Sequence, residues 1–336
     1  MKALQREITE KHSVFEQNGE VMCAGWARAP LFEYNKEQSK SFSNHSYHSG
    51  CFVNNSEVSL YLSIESSGHA FRVKIAVADL KRGGVICDCI AKKQIIRSES
   101  VPFEDDEFLY SDKRLQVLIR REDQDFKIAC DFERFGSDKK LSLRLSLEKI
   151  YDEALSELAP FERNRRYYYL KTFAPQYISC GEISVGARKY SLDEASSRAY
   201  LDLARFSKPR LHNYQRLSAD SVINGKRFSL CLASRVGDNR YGNENCFFVD
   251  GSLEKLSQIN VKGTNGRLDR PFYFSAGYSA LDITFKPFTI NGEPMCADMD
   301  NTSVLFGRLY GEIKRADFAK PLVLDNAQAH LIFHEF

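Results

Sequence analysis

The densest group of charged and other polar side chains in the chain lies between Tyr200 and Arg216. Spacings of two residues place Arg210, His212 and Tyr214 on one face of an extended strand, together with Arg216. Histidine gains or loses a proton near neutral pH, and a phenol donates a hydrogen bond or a proton. We expect this face either to line a polar cavity or to lie on a solvated edge strand, where surface salt bridges contribute little to stability.

Asp202 and Arg205 open the same stretch, at a spacing that suits a buried ion pair. A carboxylic acid that protonates a double bond needs a raised pKa, and a neighbouring arginine lowers it. We therefore rank His212 and Tyr214 above Asp202 as acid–base residues and keep all three as catalytic candidates. Arg205 is a candidate for ligand binding.

The single tryptophan lies near the start of the chain, in Gly-Trp-Ala-Arg-Ala-Pro-Leu. Trp26 and Arg28 share a face of an extended segment, close enough for cation–π stacking. One interpretation is a structural plug, with Trp26 closing the end of a barrel. The other is a ligand site, with Arg28 binding a polar group.

A glycine-rich polar segment, Arg235–Asn245, lies between two apolar strands. It is either a plain long hairpin or a loop at a barrel mouth that contacts a ligand through Asn243 and Glu244.

No motif predicts a cofactor or a metal ion. His45 and His48 are three residues apart without a second pair, which favours a surface loop over a metal site. Nine scattered cysteines are typical of small buried side chains in a reducing compartment, and Cys87 and Cys89 form the one close pair. Gly-x-Ser-x-Gly and His-Glu-x-x-His are both missing from the sequence.

Composition narrows the classes of partner. The chain has 336 residues, 47 Lys and Arg against 45 Asp and Glu, and 43% hydrophobic residues. A formal charge of +2 gives no electrostatic reason to expect nucleic acid as a partner. No apolar run is long enough to span a membrane, and the charged N-terminus lacks the apolar region of a signal peptide, so we expect a cytoplasmic protein.

Period-two alternation dominates the secondary-structure pattern. Val58–Ile64, Phe71–Val77 and Leu141–Leu147 each alternate apolar with polar residues, as half-buried antiparallel strands do. Asn224-Gly225 and Asp250-Gly251 separate such runs and favour tight hairpins. The pattern predicts an all-β fold of antiparallel strands with little helix, in sandwiches or barrels.

The polar, proline-containing segment Pro160–Arg166 suggests a division into two β domains, residues 1–165 and 166–336. Just before it, Leu147–Leu158 has helix-forming composition and apolar residues at helical spacing but lies among predicted strands. Local propensity alone leaves helix and strand open there.

An ordered set of motifs resembles a bacterial family called domain of unknown function 2804, from about Glu7 to Glu335. The motifs are Gly25–Leu31, Leu201–Arg205, Asn224-Gly225, Asn243–Asn245, Asp250-Gly251, Phe285–Phe288 and Phe306–Gly311. The resemblance implies two lipocalin-like, calycin-type β-barrels in tandem, distantly like the hydroxyneurosporene synthase group, which hydrates carotenoids. It also implies a strand over Asp152–Phe161. Phe206 replaces a family glycine, and His212 and Tyr214 replace family tryptophans.

Two functions follow from this resemblance and from the polar residues above. The first is binding of an apolar or amphipathic small molecule, lipid or terpenoid-like, in a β-barrel cavity. The second is a cofactor-free hydratase, isomerase or cyclase acting on a polyene or terpenoid-like substrate. A third interpretation, barrels filled by their own side chains, conflicts with any cavity above roughly 300 Å³.

Overall fold

Residue alternation and tight turns build nearly all of the regular structure. The computed structural model describes residues 5–40, 45–67, 70–92, 100–136, 138–161, 164–207, 214–234, 242–263, 266–276, 281–314 and 320–334. Apart from one 3₁₀ turn at Lys36–Gln38, the regular elements in these ranges are β-strands. The predicted all-β, antiparallel class is confirmed.

The first fifteen strands run from the N-terminus to residue 207. They are β1 (His12–Ser13), β2 (Gly25–Ala27), β3 (Phe32–Glu33), β4 (His45–Asn54), β5 (Val58–Ser67), β6 (Ala70–Asp79), β7 (Val85–Lys92), β8 (Glu107–Ser111), β9 (Leu115–Glu122), β10 (Asp125–Phe135), β11 (Lys139–Lys149), β12 (Leu155–Phe161), β13 (Asn164–Val185), β14 (Arg188–Leu192) and β15 (Arg198–Ser207).

Twelve more strands follow in the described part of the chain. They are β16 (Tyr214–Ile223), β17 (Lys226–Ser234), β18 (Cys246–Val249), β19 (Ser252–Lys255), β20 (Ile259–Lys262), β21 (Phe272–Ala276), β22 (Leu281–Pro287), β23 (Thr289–Ile290), β24 (Glu293–Pro294), β25 (Cys296–Met299), β26 (Thr302–Ile313) and β27 (Leu322–His334).

The chain divides into two compact units that are not consecutive in sequence. Unit 1 comprises Met1–Ser46, Glu153–Ala174 and Ala204–Phe336, and unit 2 comprises Tyr47–Asp152 and Pro175–Leu203. The boundary therefore falls within β4, β13 and β15, and between β11 and β12. The division at residue 165 stays a prediction.

Unit 1 contains an antiparallel sheet in the order β19-β18-β17-β16-β27-β26-β22-β21-β20, with β25 paired to β26. One face of this sheet forms an apolar core that includes Leu217, Phe228 and Phe285. The same unit pairs β12 with β2 and with the first part of β13. Leu155–Phe161 is thus a strand, as the family resemblance implies.

Unit 2 contains the strands of the order β7-β6-β5-β4-β15-β13-β11-β10-β9-β8, of which β4, β13 and β15 belong to it only in part. Leu141, Leu143 and Leu145 of β11 are buried while the residues between them are more exposed, as the alternation predicts. The alternation in β5 and β6 predicts that one face of each strand is exposed to solvent, but the structure differs. Ser63 and Lys74 are both fully buried, because other polar side chains of unit 2 cover and bind them.

Local turns agree closely with the sequence. Asn224 and Gly225 have φ angles of 51° and 77° between β16 and β17, the left-handed values of a tight hairpin. His45–Ser49 forms part of β4 instead of a surface loop, and His48 is buried, so that expectation was wrong. Across the described ranges, no helix has the length and apolar character needed to cross a membrane.

Candidate functional site

Strand β16 presents an apolar face to the core of unit 1 and a polar face on its other side. Leu217 and Ala219 belong to the core, while Arg216, Ser218 and Asp220 alternate with them and are also buried. A strand buried on both faces, with charge on one of them, needs charged or hydrogen-bonding partners there.

Arg216 meets its partner at Glu244, just before β18. Its Nε donates to Glu244 Oε2 at 2.8 Å and its Nη2 to Oε1 at 3.0 Å. The Tyr169 hydroxyl, from β13, donates to Glu244 Oε1 at 2.5 Å and accepts from Arg216 Nη2 at 2.9 Å. Lys171 Nζ lies 3.9 Å from Glu244 Oε2. The buried Glu244 carboxylate is therefore held by two cations and a phenol.

Glu157 of β12 is a second buried carboxyl beside this group. Burial raises its pKa to about 8, the Glu244 charge adds to the increase, and Lys255, Lys171 and Arg216 oppose it. Its Oε2 has no hydrogen-bond partner among the described residues. Burial thus favours the protonated form of Glu157, and one of its oxygens is not engaged by those residues.

Lys255 of β19 completes the cluster. Its ammonium donates to the Asn243 backbone oxygen, to Asn243 Oδ1 at 2.7 Å, to the Asn245 oxygen at 3.1 Å and to the Leu256 oxygen at 3.3 Å. Burial lowers the pKa of Lys255, while Glu157 opposes the decrease. We call Glu157, Tyr169, Lys171, Arg216, Glu244 and Lys255 the acid cluster.

The segment Gly242–Asn245 has the acid cluster on one side. A Cβ at Gly242 would lie 2.8 Å from Glu157 Oε1, so the backbone packs directly against this carboxyl. Asn243 and Asn245, which alternate with Gly242 and Glu244, line a pocket.

This pocket has a volume of about 760 Å³ and lies at the ends of β16, β17 and β27, beside β20. Its apolar side is formed by Ile259, Val261 and Phe333, which also pack against the core of unit 1. Tyr214 and His334 line it as well, with their rings stacked at a centroid distance of 4.5 Å. The combination of apolar and polar walls suits an amphipathic ligand.

Unit 2 contains a separate buried network on the polar face of β4, β5, β6 and β15. Lys74 Nζ donates to both carboxylate oxygens of Glu65, at 3.0 and 2.9 Å. His48 Nδ1 lies 3.4 Å from Glu65 Oε1, and its Nε2 lies 3.7 Å from Asp202 Oδ1. We call these four residues the histidine network.

Sequence and structure comparisons place the chain among known proteins. The family model described as Domain of unknown function (DUF2804) matches residues 5–327. The chain belongs to this family. No curated protein matches the chain in the sequence search.

Two solved structures share the fold of this DUF2804 protein. Kievitone hydratase from Nectria haematococca superposes with a TM-score of 0.58 at 9% identity, over 96% of this chain and 98% of the hydratase. A putative AttH from Nitrosomonas europaea gives a TM-score of 0.53 at 11% identity, over 90% of this chain and 96% of that one. The likeness supports the tandem lipocalin-like architecture.

The structure brings together three of the residues chosen from the sequence of this DUF2804 protein. Glu244 belongs to the acid cluster, and Asn243 and Tyr214 line the pocket. Asp202 lies in unit 2, within the histidine network. His212 falls outside the described residues. The ligand-binding and catalytic roles of all these residues stay predictions.

The remaining candidates lie in other surroundings within unit 1. Trp26 is buried on β2, and the Arg28 guanidinium carbon lies 5.6 Å from its ring centroid, so the predicted stacking is present. Arg28 is 39% exposed and binds Glu7 and Glu153. The Arg205 guanidinium carbon lies 4.6 Å from the centroid of the Tyr34 ring. Both arginines stay proposed ligand contacts.

Sequence reasoning missed most of the acid cluster, including Glu157, Tyr169, Lys171 and Lys255. A weak signal was present, because Glu157 is the one charged residue of β12 and Lys171 the one charged residue of the stretch Tyr167–Ala174. Within the described ranges, no group of three His, Cys, Asp or Glu side chains is arranged to hold a metal ion. None of the nine cysteines, all of which lie in the described ranges, forms a disulfide bond, and burial raises the pKa of Cys231, which disfavours the reactive thiolate.

Proposed function

We propose that this protein binds a small amphipathic molecule, lipid or terpenoid-like, in the pocket bordered by Tyr214, Asn243 and Phe333. The observation that carries the proposal is the size and lining of this pocket. Its volume of about 760 Å³ falls within the range of small-molecule sites, and apolar and hydrogen-bonding residues line it together.

Native mass spectrometry of protein purified without denaturation tests this proposal. We expect a retained small-molecule mass. Ser234→Trp fills the pocket from the end of β17 and should abolish retention. Val323→Trp, at an exposed site of β27 outside the pocket, is the matched control and should keep the ligand. Equal retention in both variants would place the ligand elsewhere.

A second candidate function is catalysis by a cofactor-free hydratase, isomerase or cyclase on a polyene or terpenoid-like substrate. Glu157 favours it, because a buried carboxyl whose pKa is about 8 keeps its proton at neutral pH. In a hydration, this proton would bond to one alkene carbon and a water oxygen to the other. The surplus proton of the water would then return to the Glu157 carboxylate.

Glu157→Gln separates carrier from enzyme, since glutamine keeps the shape of the protonated acid but donates no proton. If the protein is an enzyme, wild type changes the mass of the retained species during incubation, and Glu157→Gln retains it unchanged. A mass change at the same rate in Glu157→Gln would remove Glu157 from the mechanism. A retained species that wild type never alters would support the carrier.

A further inference from the structure

Two cysteines face each other across neighbouring strands of unit 1. Cys231 of β17 lies directly opposite Cys246 of β18 in the antiparallel ladder. Their strand neighbours Leu230, Leu232 and Phe247 belong to the apolar core, so both thiols lie on the other face of the sheet, which carries the acid cluster. Both cysteines are free and fully buried. The fold thus pairs two thiols that are far apart in the sequence.

Their position suits a disulfide bond. Residues directly opposite each other in an antiparallel pair have Cα atoms about 4.5–5.5 Å apart, within the range of roughly 4.4–6.8 Å that a disulfide spans. Their Cβ atoms are also about 4.5–5.5 Å apart, so a shift of up to about 1 Å brings them to the usual disulfide separation. The Cys231 backbone amide donates to the Cys246 sulfur, so this sulfur lies towards its partner residue.

The close pair in the sequence, Cys87 and Cys89, lacks this geometry. Both belong to β7 and are two residues apart, so their parallel side chains are separated by about 6.6 Å. A disulfide bond needs Cβ atoms at about 3.5–4.5 Å. The pairing of strands, and not the spacing in the sequence, therefore identifies the two thiols that can be joined.

The cysteine pair adjoins the acid cluster. Cys231 Sγ lies 4.0 Å from Glu244 Oε2. Burial raises the pKa of both thiols, to about 12 for Cys246, and the Glu244 charge adds to the increase, while Lys255 opposes it at Cys246. Because few thiolates form at neutral pH, reaction with an oxidant is slow.

The sheet order gives an oxidant a path to the buried pair. Strands β18 and β19 are four residues long each, and β19 is the last strand of the order at this end. Short strands near the edge of a sheet open locally at a lower free energy than the whole fold. Such opening exposes the thiols while the rest of the sheet stays formed.

We propose that Cys231 and Cys246 form a reversible disulfide bond when the protein is exposed to hydrogen peroxide, which makes the pair a redox-sensitive modification site beside the acid cluster. Hydrogen peroxide oxidises one sulfur to a sulfenic acid and leaves as water. The second thiol then bonds to that sulfur and releases another water. Two thiols and one peroxide thus give one disulfide and two waters, and a dithiol reductant restores the thiols.

Peptide mapping without reduction tests the proposal on the folded protein. After treatment with hydrogen peroxide, the protein is unfolded, alkylated and digested with trypsin. Trypsin releases Cys231 in peptide 228–235 and Cys246 in peptide 241–255, each without another cysteine. We expect these peptides to be joined, at the sum of their masses less two hydrogens. Dithiothreitol added before alkylation should separate them.

The control variants use serine, which has the shape of cysteine and forms no disulfide bond. Cys231→Ser and Cys246→Ser should each abolish the linked peptides. Cys130→Ser is the matched control, because Cys130 is also buried but lies opposite Leu143 and Val117, and it should leave the link unchanged. Wild-type protein alone decides whether the bond forms, so the test stands even for a variant that does not fold.

Urea unfolding measures whether the sheet accommodates the bond. A link between Cys231 and Cys246 closes a loop over residues 232–245 and restricts the unfolded chain. Oxidation should therefore raise the folding equilibrium constant by about a hundredfold, and reduction should remove this gain. Lower stability after oxidation would show that the two strands do not fit the bond, and it would overturn the proposal.

The peptide map also contains its own positive control. Cys180 and Cys296 are partly exposed and report whether the peroxide has reacted with the protein. Recovery of both peptides as separate alkylated thiols, in samples where these two cysteines are oxidised, would overturn the proposal. A link from Cys231 or Cys246 to any other cysteine would overturn it as well. The proposal is independent of the binding function, which is tested by ligand retention.

Discussion

Both units bury charged side chains on a sheet face, but they satisfy them differently. In unit 2, Lys74 donates to both oxygens of Glu65, and His48 lies between Glu65 and Asp202. Unit 1 also has a two-point ion pair, Arg216 with Glu244. It further contains Glu157, whose Oε2 has no hydrogen-bond partner among the described residues.

The two clusters differ in their carboxyl groups, because Lys74 donates to both oxygens of Glu65 whereas Glu157 Oε2 has no hydrogen-bond partner among the described residues. Buried charges that satisfy each other hold a sheet face together. A buried acid with an unsatisfied oxygen reduces stability, and such groups concentrate at functional sites. The acid cluster also shares the segment Gly242–Asn245 with a pocket of about 760 Å³. The proposed binding function therefore concerns unit 1, and we expect a structural role for the histidine network.

The largest effect on stability should come from Arg216→Met. It leaves the buried Glu244 carboxylate without its two-point partner, and breaking such a pair costs about 3–5 kcal/mol. The free energy of unfolding in urea, followed by Trp26 fluorescence, measures the loss. Arg144→Met is the matched control, because its pair with Asp131 is 54% exposed on the arginine side and should contribute no more than about 1 kcal/mol. Equal losses would show that the acid cluster is solvated.

Lys74→Met should have the next largest effect, about 3 kcal/mol, because it leaves Glu65 in a largely buried position. The double variant Lys74→Met/Glu65→Leu should recover most of this loss, since it removes both charges. It should also keep the retained small molecule in native mass spectrometry. If the double variant folds but no longer retains the ligand, a purely structural role for the histidine network would be contradicted.

Because the pKa of Glu157 is raised, we expect the free energy of unfolding to depend moderately on pH. Its folded-state pKa of about 8 lies above the ordinary value of 4.5, so between these values the folded chain holds a proton that the unfolded chain lacks. Stability from this group is complete below 4.5 and decreases as the pH rises to about 8, by on the order of 1 kcal/mol per pH unit.

The measurement compares wild type with Glu157→Gln across that pH range. Glutamine does not titrate, so the difference in the free energy of unfolding between the two proteins should change steadily towards favouring the variant. Parallel curves for wild type and variant would mean that Glu157 is ionised in the folded protein, and the acid-catalysed alternative would lose its support.

Local features of the fold could be predicted because they depend on neighbouring residues. Leu141–Leu147 alternates in sequence and in burial, and Asn224-Gly225 forms the expected turn. The second buried face of β6 could not be predicted, since Lys74 resembles any solvent-facing lysine. Its burial depends on Glu65, which lies opposite a different residue of the paired strand.

The candidate site was only partly predictable for the same reason. Asn243 and Glu244 stood out through the composition of their segment, yet nothing in the sequence pairs Glu244 with Tyr169, 75 residues earlier. Glu157 had no distinguishing neighbour in sequence. Its raised pKa results from burial and from the Glu244 charge, and both arise only when β12 meets the strands of the last third of the chain.

Arg28→Gln should have the smallest effect on stability. It tests whether a partly exposed arginine with several partners contributes less than the buried Arg216. Arg28 has three partners, Glu7 at 2.9 Å, Glu153 at 3.1 Å and the Leu253 oxygen at 2.7 Å, but its side chain is 39% exposed. Water competes for both carboxylates, so we expect a loss of up to about 1 kcal/mol in urea unfolding. A loss near that of Arg216→Met would show that the number of partners, and not burial, decides the effect of removing an arginine. Burial would then no longer separate the acid cluster from the ordinary ion pairs of this protein.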